Sequence, residues 1–267
     1  MVGDLELTAL SDGWLDVPAA TFAPRPPGTA PDDPVRLGAN AWIVRAPGRV
    51  VLIDAGAGDT LRDGFPDVGR LTAALAETGL RATDVTEIVL THMHPDHVGG
   101  LTTADGRRRF PNATLRVHAA EWRFWSDRSR VAALPRAQRA VADLTARLVA
   151  HLDYPVELVE GQADLGDGLY LPPLPGHSPG HSIVRLASGS ALAALIGDAM
   201  ICGPMQMRRP EISYALDADP AQAARSRIRL LDMLATDGIP FAATHLETLA
   251  LGRAMPARGG GWNFVPA

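Results

Sequence analysis

Three imidazoles and one carboxylate fall within six residues in Thr91-His92-Met93-His94-Pro95-Asp96-His97. The apolar run Thr86-Glu87-Ile88-Val89-Leu90 before them reads as a buried strand, so the cluster stands where a strand gives way to a loop. Such side chains pack poorly, but imidazole nitrogen and carboxylate oxygen are first-choice ligands for zinc and similar divalent ions. His92 and His94 are two apart, so in extended chain they point the same way and can grip one ion. Asp96 and His97 follow the turn-promoting Pro95 and can face a second. A solvated His-rich loop is the bland alternative, yet polar clusters of this density rarely follow buried strands.

The remaining chain must supply elements that hold this loop. Alternation in Leu5–Leu10 predicts a first strand, with Ser11-Asp12-Gly13 as a turn. Residues 19–40 are rich in proline and glycine and show no helical period. They read as a long loop, either functional, with Phe22 covering a site, or a surface excursion or dimer contact. Strands are expected at 41–45, 49–54, 86–90, 114–118, 156–160, 168–174, 182–187, 191–196 and 241–244, with an edge strand at 262–265. A helix at 68–78 places Leu71, Ala74, Leu75 and Thr78 on one face and stops at Gly79. A second carries Trp122 and Trp125, and a third opens at Pro135 and runs to about Leu152. Asp219-Pro220 starts a fourth, with Ala224, Ile228, Leu231 and Ala235 along one face, which ends at Gly238. Periodicity alone gives an α/β chain.

With 267 residues and 46% hydrophobic content, the chain can bury a large core as one domain. The net charge is −5, and Arg107-Arg108-Arg109 is the longest basic block, which argues against nucleic acid as a partner. Lysine is absent, so all 25 basic residues are arginine. The single cysteine, Cys202, excludes an intrachain disulfide and a cysteine-based zinc site, and reads as a small buried hydrophobe, with a place in the pocket lining four residues after Asp198 as the alternative. No segment approaches the roughly 20 apolar residues that span a bilayer, and Met1–Glu6 lacks a basic region followed by an apolar one. No membrane partner and a cytoplasmic location are expected.

Four further segments carry ligand-type residues: Val50–Gly58 with Asp54, Pro175-Gly176-His177-Ser178-Pro179-Gly180-His181, Ile196-Gly197-Asp198, and Ala243-Thr244-His245. With HxHxDH they make five motifs whose order and spacing resemble those of the metallo-β-lactamase superfamily along nearly the whole chain. That resemblance implies an αβ/βα sandwich, two mixed sheets face to face with helices outside, over a single domain of residues 1–267. It also implies a ligand set: His92, His94 and His177 for one metal, Asp96, His97 and His245 for a second, and Asp198 bridging. Two divalent ions are then the cofactors, zinc foremost, with manganese, cobalt or iron as substitutes. Asp54 orients the metal loop from behind or caps a turn. Pro179-Gly180 turns the chain between His177 and His181, so His181 supports the site rather than binding the same ion. His118 and His151 lie outside the motifs and read as structural or surface residues.

Within the superfamily the chain most resembles methyl parathion hydrolases and N-acyl homoserine lactonases. The similarity rests on Ala39-Asn40-Ala41-Trp42, residues 91–101, Phe110-Pro111-Asn112-Ala113, Gly197-Asp198-Ala199-Met200 and Trp262–Pro266. The resemblance implies a hydrolase that uses a metal-bridging hydroxide to cleave esters or lactones, with phosphotriesters as a side activity. Asp96 and Asp198 are its catalytic carboxylates. Many such lactonases carry a tyrosine three residues after the bridging aspartate; here that position is Ile201, which with Met200 implies an apolar pocket. With no lysine, and no arginine inside the motifs, the expected substrate is small, neutral and apolar, with Arg208 and Arg209 as the residues that could instead clamp an anion. A mononuclear-iron sulfur dioxygenase, which uses a similar motif, is the first alternative. A non-catalytic binding protein on the same fold is the second, and a complete ligand set argues against it. A homodimer is left open.

Overall fold

Strands with apolar residues on both faces must be covered on both faces, and that requirement shapes this molecule. The computed structural model describes residues 1–267, the side chain of Ala137 excepted. Its first half holds β1 (Glu6–Pro18), β2 (Phe22–Ala23), β3 (Pro34–Ala46), β4 (Arg49–Ile53), α1 (Leu71–Glu77), β5 (Glu87–Leu90), α2 (Pro95–Val98) and β6 (Thr114–His118). Then come α3 (Ala119–Ser126), α4 (Arg128–Ala132), α5 (Arg139–Ala150), β7 (Val156–Val159), β8 (Ala163–Gly166), β9 (Leu169–Leu171), β10 (Val184–Ser188) and β11 (Ala191–Leu195). The chain closes with α6 (Gly203–Arg208), β12 (Ser213–Tyr214), α7 (Pro220–Thr236), β13 (Phe241–Ala242), β14 (Gly252–Pro256) and β15 (Trp262–Pro266).

One sheet runs β1-β3-β4-β5-β6-β7 and the other β15-β14-β13-β11-β10-β9-β8, while β12 and β2 form a small pair of their own. The core between the sheets takes Trp42, Val44, Val51, Ile53 and Val89 from one side and Leu169, Val184, Leu186 and Leu195 from the other. The alternate residues Ala41, Ile43, Leu52, Ile88 and Leu90 face outward into a second core closed by Leu71, Leu75, Trp125 and Ala146 of the helices. On the far face, Leu230, Leu231 and Leu234 of α7 cover Ala194, Ile196 and Phe241. The layering is the αβ/βα sandwich, because period-2 alternation sends one set of side chains to each apolar layer.

Three local expectations give way. The Ser11-Asp12-Gly13 turn is a β-bulge inside β1, where the pairing with β3 shifts register between Ser11 and Gly13. Gly13 takes φ +115°, and a Cβ there would stand 1.8 Å from the Asp67 carbonyl oxygen. The 19–40 loop is also shorter than its composition suggests. Residues 34–40 belong to β3, and β2 pairs Phe22 with Tyr214. Phe22 is 2% exposed and packs with Leu15, Val17, Leu37 and Ile212, so it is a core residue and no lid. Finally, α7 buries Ala223, Ser226, Arg227, Leu230, Leu231 and Leu234, and Ile228 is 40% exposed. The expected stripe shares only Leu231 with this face because Arg227 sits at its centre, its guanidinium donating to the carbonyls of Ala199, Pro210 and Ile212.

At the bulge, Asp12 is fully buried and accepts hydrogen bonds from the backbone N–H of Ala57 (2.8 Å) and of Leu71 (2.7 Å). It thereby ties β1 to the turn after β4 and to the start of α1. Burial pushes its carboxyl above the usual range, against the pull of these N–H donors. Asp12→Ala leaves those two donors buried without partners and should destabilise the protein by about 2–4 kcal/mol. Urea unfolding would measure it, and a loss below about 1 kcal/mol would mean that water or a neighbour satisfies them.

Candidate metal centre

Parallel neighbours bring their C-terminal ends to one edge of a sheet, and here two such pairs meet. β4 and β5 are parallel in one sheet, β11 and β13 in the other. The segments that leave them carry Asp54, His92–His97, Asp198 and His245, and the turn at 175–181 that precedes β10 adds His177. Pro95 opens α2 at its first position, which fixes Asp96 and His97 on one short helical turn behind His94.

The donor atoms form two groups. In one, His94 Nδ1 lies 3.1 Å from His92 Nε2 and 2.9 Å from His177 Nε2, and Asp198 Oδ2 is 3.2 Å from His177 Nε2. In the other, Asp96 Oδ2 lies 3.6 Å from His97 Nε2 and 3.5 Å from His245 Nε2. Asp198 reaches this second group as well, with Oδ1 3.2 Å from His97 Nε2 and Oδ2 3.1 Å from His245 Nε2. Within each group the candidate ligand atoms lie within 4.8 Å of one another.

These residues fit a cation. Imidazole nitrogens about 3 Å apart cannot all turn hydrogens toward one another, whereas all can turn lone pairs toward a metal. His97 Nε2 and Asp198 Oδ1 are buried and make no aligned hydrogen bond. Four rings are anchored at the opposite nitrogen, which aims Nε2 inward: His92 Nδ1 at Thr91 Oγ1 (3.2 Å), His97 Nδ1 at Asp54 Oδ2 (2.9 Å), His177 Nδ1 at Asp217 Oδ1 (3.0 Å) and His245 Nδ1 at the Gly38 carbonyl (2.7 Å). The His97–Asp54 contact is an ion-pair approach without hydrogen-bond alignment. His94 is held by Trp125, edge-on at 5.5 Å.

The ionisation of the cluster is divided. Burial, reinforced by neighbouring imidazoles, holds His92 and His94 well below the ordinary histidine range. Burial also works against charge on His97, His177 and His245, but the surrounding carboxylates, Asp198 above all, outweigh it and raise all three, His177 to about 9. Asp198 is desolvated too, yet His245, His97 and His92 hold it well below the carboxylate range. In the metal-free protein the His177 imidazole therefore carries a proton at neutral pH. That contribution to stability is complete below pH 6.5 and lost as pH rises through about 9.

The other expected residues separate into supporting and remote. Asp54 accepts from Thr91 N–H and from Thr91 Oγ1, each at 2.8 Å, and so fixes the start of the metal loop. His181 turns Nδ1 to the Leu174 carbonyl (3.1 Å) and its Nε2 accepts from the Asp198 N–H (3.1 Å). Burial and the nearby His177 push its pKa down to about 3, so it stays neutral and steadies the Asp198 backbone. Met200 and Ile201 do not line the cavity at the cluster; both are fully buried in the cores beside it. Arg208 is tied to Asn263 and the Arg258 carbonyl, and Arg209 to Glu211. Cys202 and Arg208 line a separate cleft of about 600 Å³ on the other side of His245. His118 caps α3, and His151 lies exposed against the Arg147 carbonyl.

The cavity that opens on the cluster holds about 390 Å³, with His94, Asp96, His177, Asp198 and His245 at its floor. Leu15, Val17, Phe65, Val141, Leu144 and Leu216 give it apolar walls, and among the described residues no arginine lines it. Three residues that sequence reasoning missed matter here. Asp217 holds His177. Glu121 is buried between the two histidine loops. Tyr214 lines the cavity and stacks on His177, and burial together with Asp96, Asp198 and Asp217 pushes its phenol up, so it remains a neutral donor. None stands in a motif; only cross-chain contact reveals them.

Metal uptake at pH 7 should release a proton from His177, and affinity should fall as pH is lowered. Calorimetry in buffers of different ionisation enthalpy reads this directly, and uptake without proton release would contradict it. His177→Ala should lose metal, while His181→Ala keeps most of it; elemental analysis ranks the two, and the reverse order would exchange their roles.

The match to the family model described as the Metallo-beta-lactamase superfamily covers residues 34–238. A probable metallo-hydrolase of Mycobacterium bovis is 31% identical over 192 residues, 70% of this chain and 58% of that protein, so the chain spans little more than half its length. An N-acyl homoserine lactonase of Bacillus cereus is 28% identical over 131 residues, 49% of this chain and 44% of the lactonase. The crystal structure of the hydrolase AbOPH, described as in the beta lactamase superfamily, superposes with a TM-score of 0.88 at 28% identity, over 100% of this chain and 96% of that one. On its fold, its strand-end donor cluster and this match, the chain belongs to the metallo-beta-lactamase superfamily.

Proposed function

We propose that the protein is a dinuclear metal-dependent hydrolase of small, neutral, apolar esters or lactones, with phosphotriesters as a lesser substrate. The observation that carries this reading is Asp198, which contacts both donor groups at the floor of an apolar cavity. His92, His94, His177 and Asp198 would hold one ion, and Asp96, His97, His245 and Asp198 the other. Two divalent ions there would supply Lewis acidity and a hydroxide nucleophile at neutral pH. Zinc suits the mixed imidazole and carboxylate donors best.

The chain's own residues do the rest. The side walls bury an acyl or aryl group at roughly 25 cal/mol per Å² and leave no fixed cation to reward a carboxylate. Asp96, whose side chain keeps 15% exposure toward the cavity, accepts a proton from the attacking water and returns it to the leaving oxygen. Tyr214 donates a hydrogen bond to the substrate oxygen on which charge develops. The named lactonase and the superposed hydrolase support the same reaction class.

Metal-loaded protein should be assayed on acyl lactones, aryl esters and phosphotriesters, each neutral substrate beside a partner bearing a carboxylate. The neutral member should lead in kcat/KM by about tenfold or more, equivalent to 1.4 kcal/mol. Tyr214→Phe should lower kcat about tenfold with metal content unchanged, the worth of one hydrogen bond. An anionic substrate that wins by tenfold, or full turnover with a single iron per chain, would refute the proposal.

A further inference from the structure

Glu121 is fully buried in the first turn of α3, and its carboxylate receives four hydrogen bonds. Oε1 accepts from the Met93 N–H (3.0 Å) and from Trp125 Nε1 (2.6 Å); Oε2 accepts from Ser178 Oγ (2.7 Å) and from the Gly180 N–H (2.8 Å). Met93 stands between His92 and His94, Ser178 follows His177, and the ring of Trp125 packs on His94. One carboxylate thus joins the two loops that carry His92, His94 and His177, as well as the aromatic ring against them. The loops press closely on its helix: a Cβ at Gly180 would lie 2.1 Å from the Glu121 nitrogen. Among the described residues, no hydrogen bond or ion pair joins it to Asp96, His97 or His245. Their anchors are Asp54 and the Gly38 carbonyl.

We infer that Glu121 is a positioning residue for one metal of the pair, the one held by His92, His94 and His177, and not for the other. The inference rests on the two-metal reading proposed above. A carboxylate suits the task because four donors converge on it and its oxygens accept all of them without a competing hydrogen. In Glu121→Gln the amide NH2 must face at least one N–H or O–H donor. The His92-Met93-His94 segment and the His177 turn then lose their common tie, and the three nitrogens lose their spacing.

The test is zinc retention against a graded chelator, followed in full-length protein loaded with two equivalents. In the wild type both equivalents should be held. In Glu121→Gln one should leave with about 10–100-fold weaker affinity while the second stays at the wild-type value. Ser178→Ala, which removes a single bond and leaves no buried charge unpaired, should show the same selectivity with a smaller shift; it decides the matter if the glutamine variant does not fold. Equal weakening of both equivalents, or none, overturns the inference and makes Glu121 a general packing residue. If the wild type binds only one equivalent, the paired reading fails by itself; Glu121 then stands only if Glu121→Gln still weakens that equivalent.

Discussion

Asp198 is 2% exposed, and imidazole nitrogens of His92, His97, His177 and His245 lie within 3.6 Å of it. A buried carboxylate is costly unless positive charge compensates it, and an imidazole compensates only when its ring is turned the right way. Each ring is therefore held from behind. Asp54 and Asp217 are buried carboxylates that hold His97 and His177, and the carbonyl of Gly38 holds His245. The demand spreads outward, because Asp54 is itself fixed by Thr91 and Asp217 by the Tyr214 N–H. Much of the polar structure beneath the cavity follows from compensating that one charge.

The sandwich makes this crowding feasible. Strand ends deliver side chains without requiring long loops to order themselves, so the entropic cost of placing seven donors falls mainly on the sheets. The sheets are stable for another reason: both faces of β3, β4 and β5 are buried. The bulge at Asp12 links scaffold to cavity. The extra residue keeps Leu10, Leu15 and Val17, which pair with Ala41, Leu37 and Val35, on one face of the sheet, a face that meets the helix-side core at Leu10 and the cavity at Leu15 and Val17.

The residues of the donor cluster were legible because their spacing is a local property. HxHxDH, the 175–181 turn and the strand-ending Asp198 and His245 can be read without knowing what lies across the sheet. Strands β4, β5, β6 and β7 were legible for the same reason, whereas β1 and β3 run well beyond the segments that alternation marked. Misreadings came where composition and context disagree. Proline and glycine between 19 and 40 suggested a loop through to Asn40, but pairing with β1 pulls residues 34–40 into β3. Arg227 hid the buried face of α7, because no period reveals that three carbonyls wait for its guanidinium.

By itself the sequence determined the donor types, their order and the alternation that builds two covered sheets, since these depend on neighbours along the chain. Only the tertiary structure decided what surrounds the donors. Glu121 meets Met93 across 28 residues and Gly180 across 59, and Asp217 meets His177 across 40. Tyr214 reaches the cavity, and Ile201 does not, because β12 pairs with β2 while Ile201 turns into the core. Such contacts are set by how layers pack, and packing is a property of the whole chain.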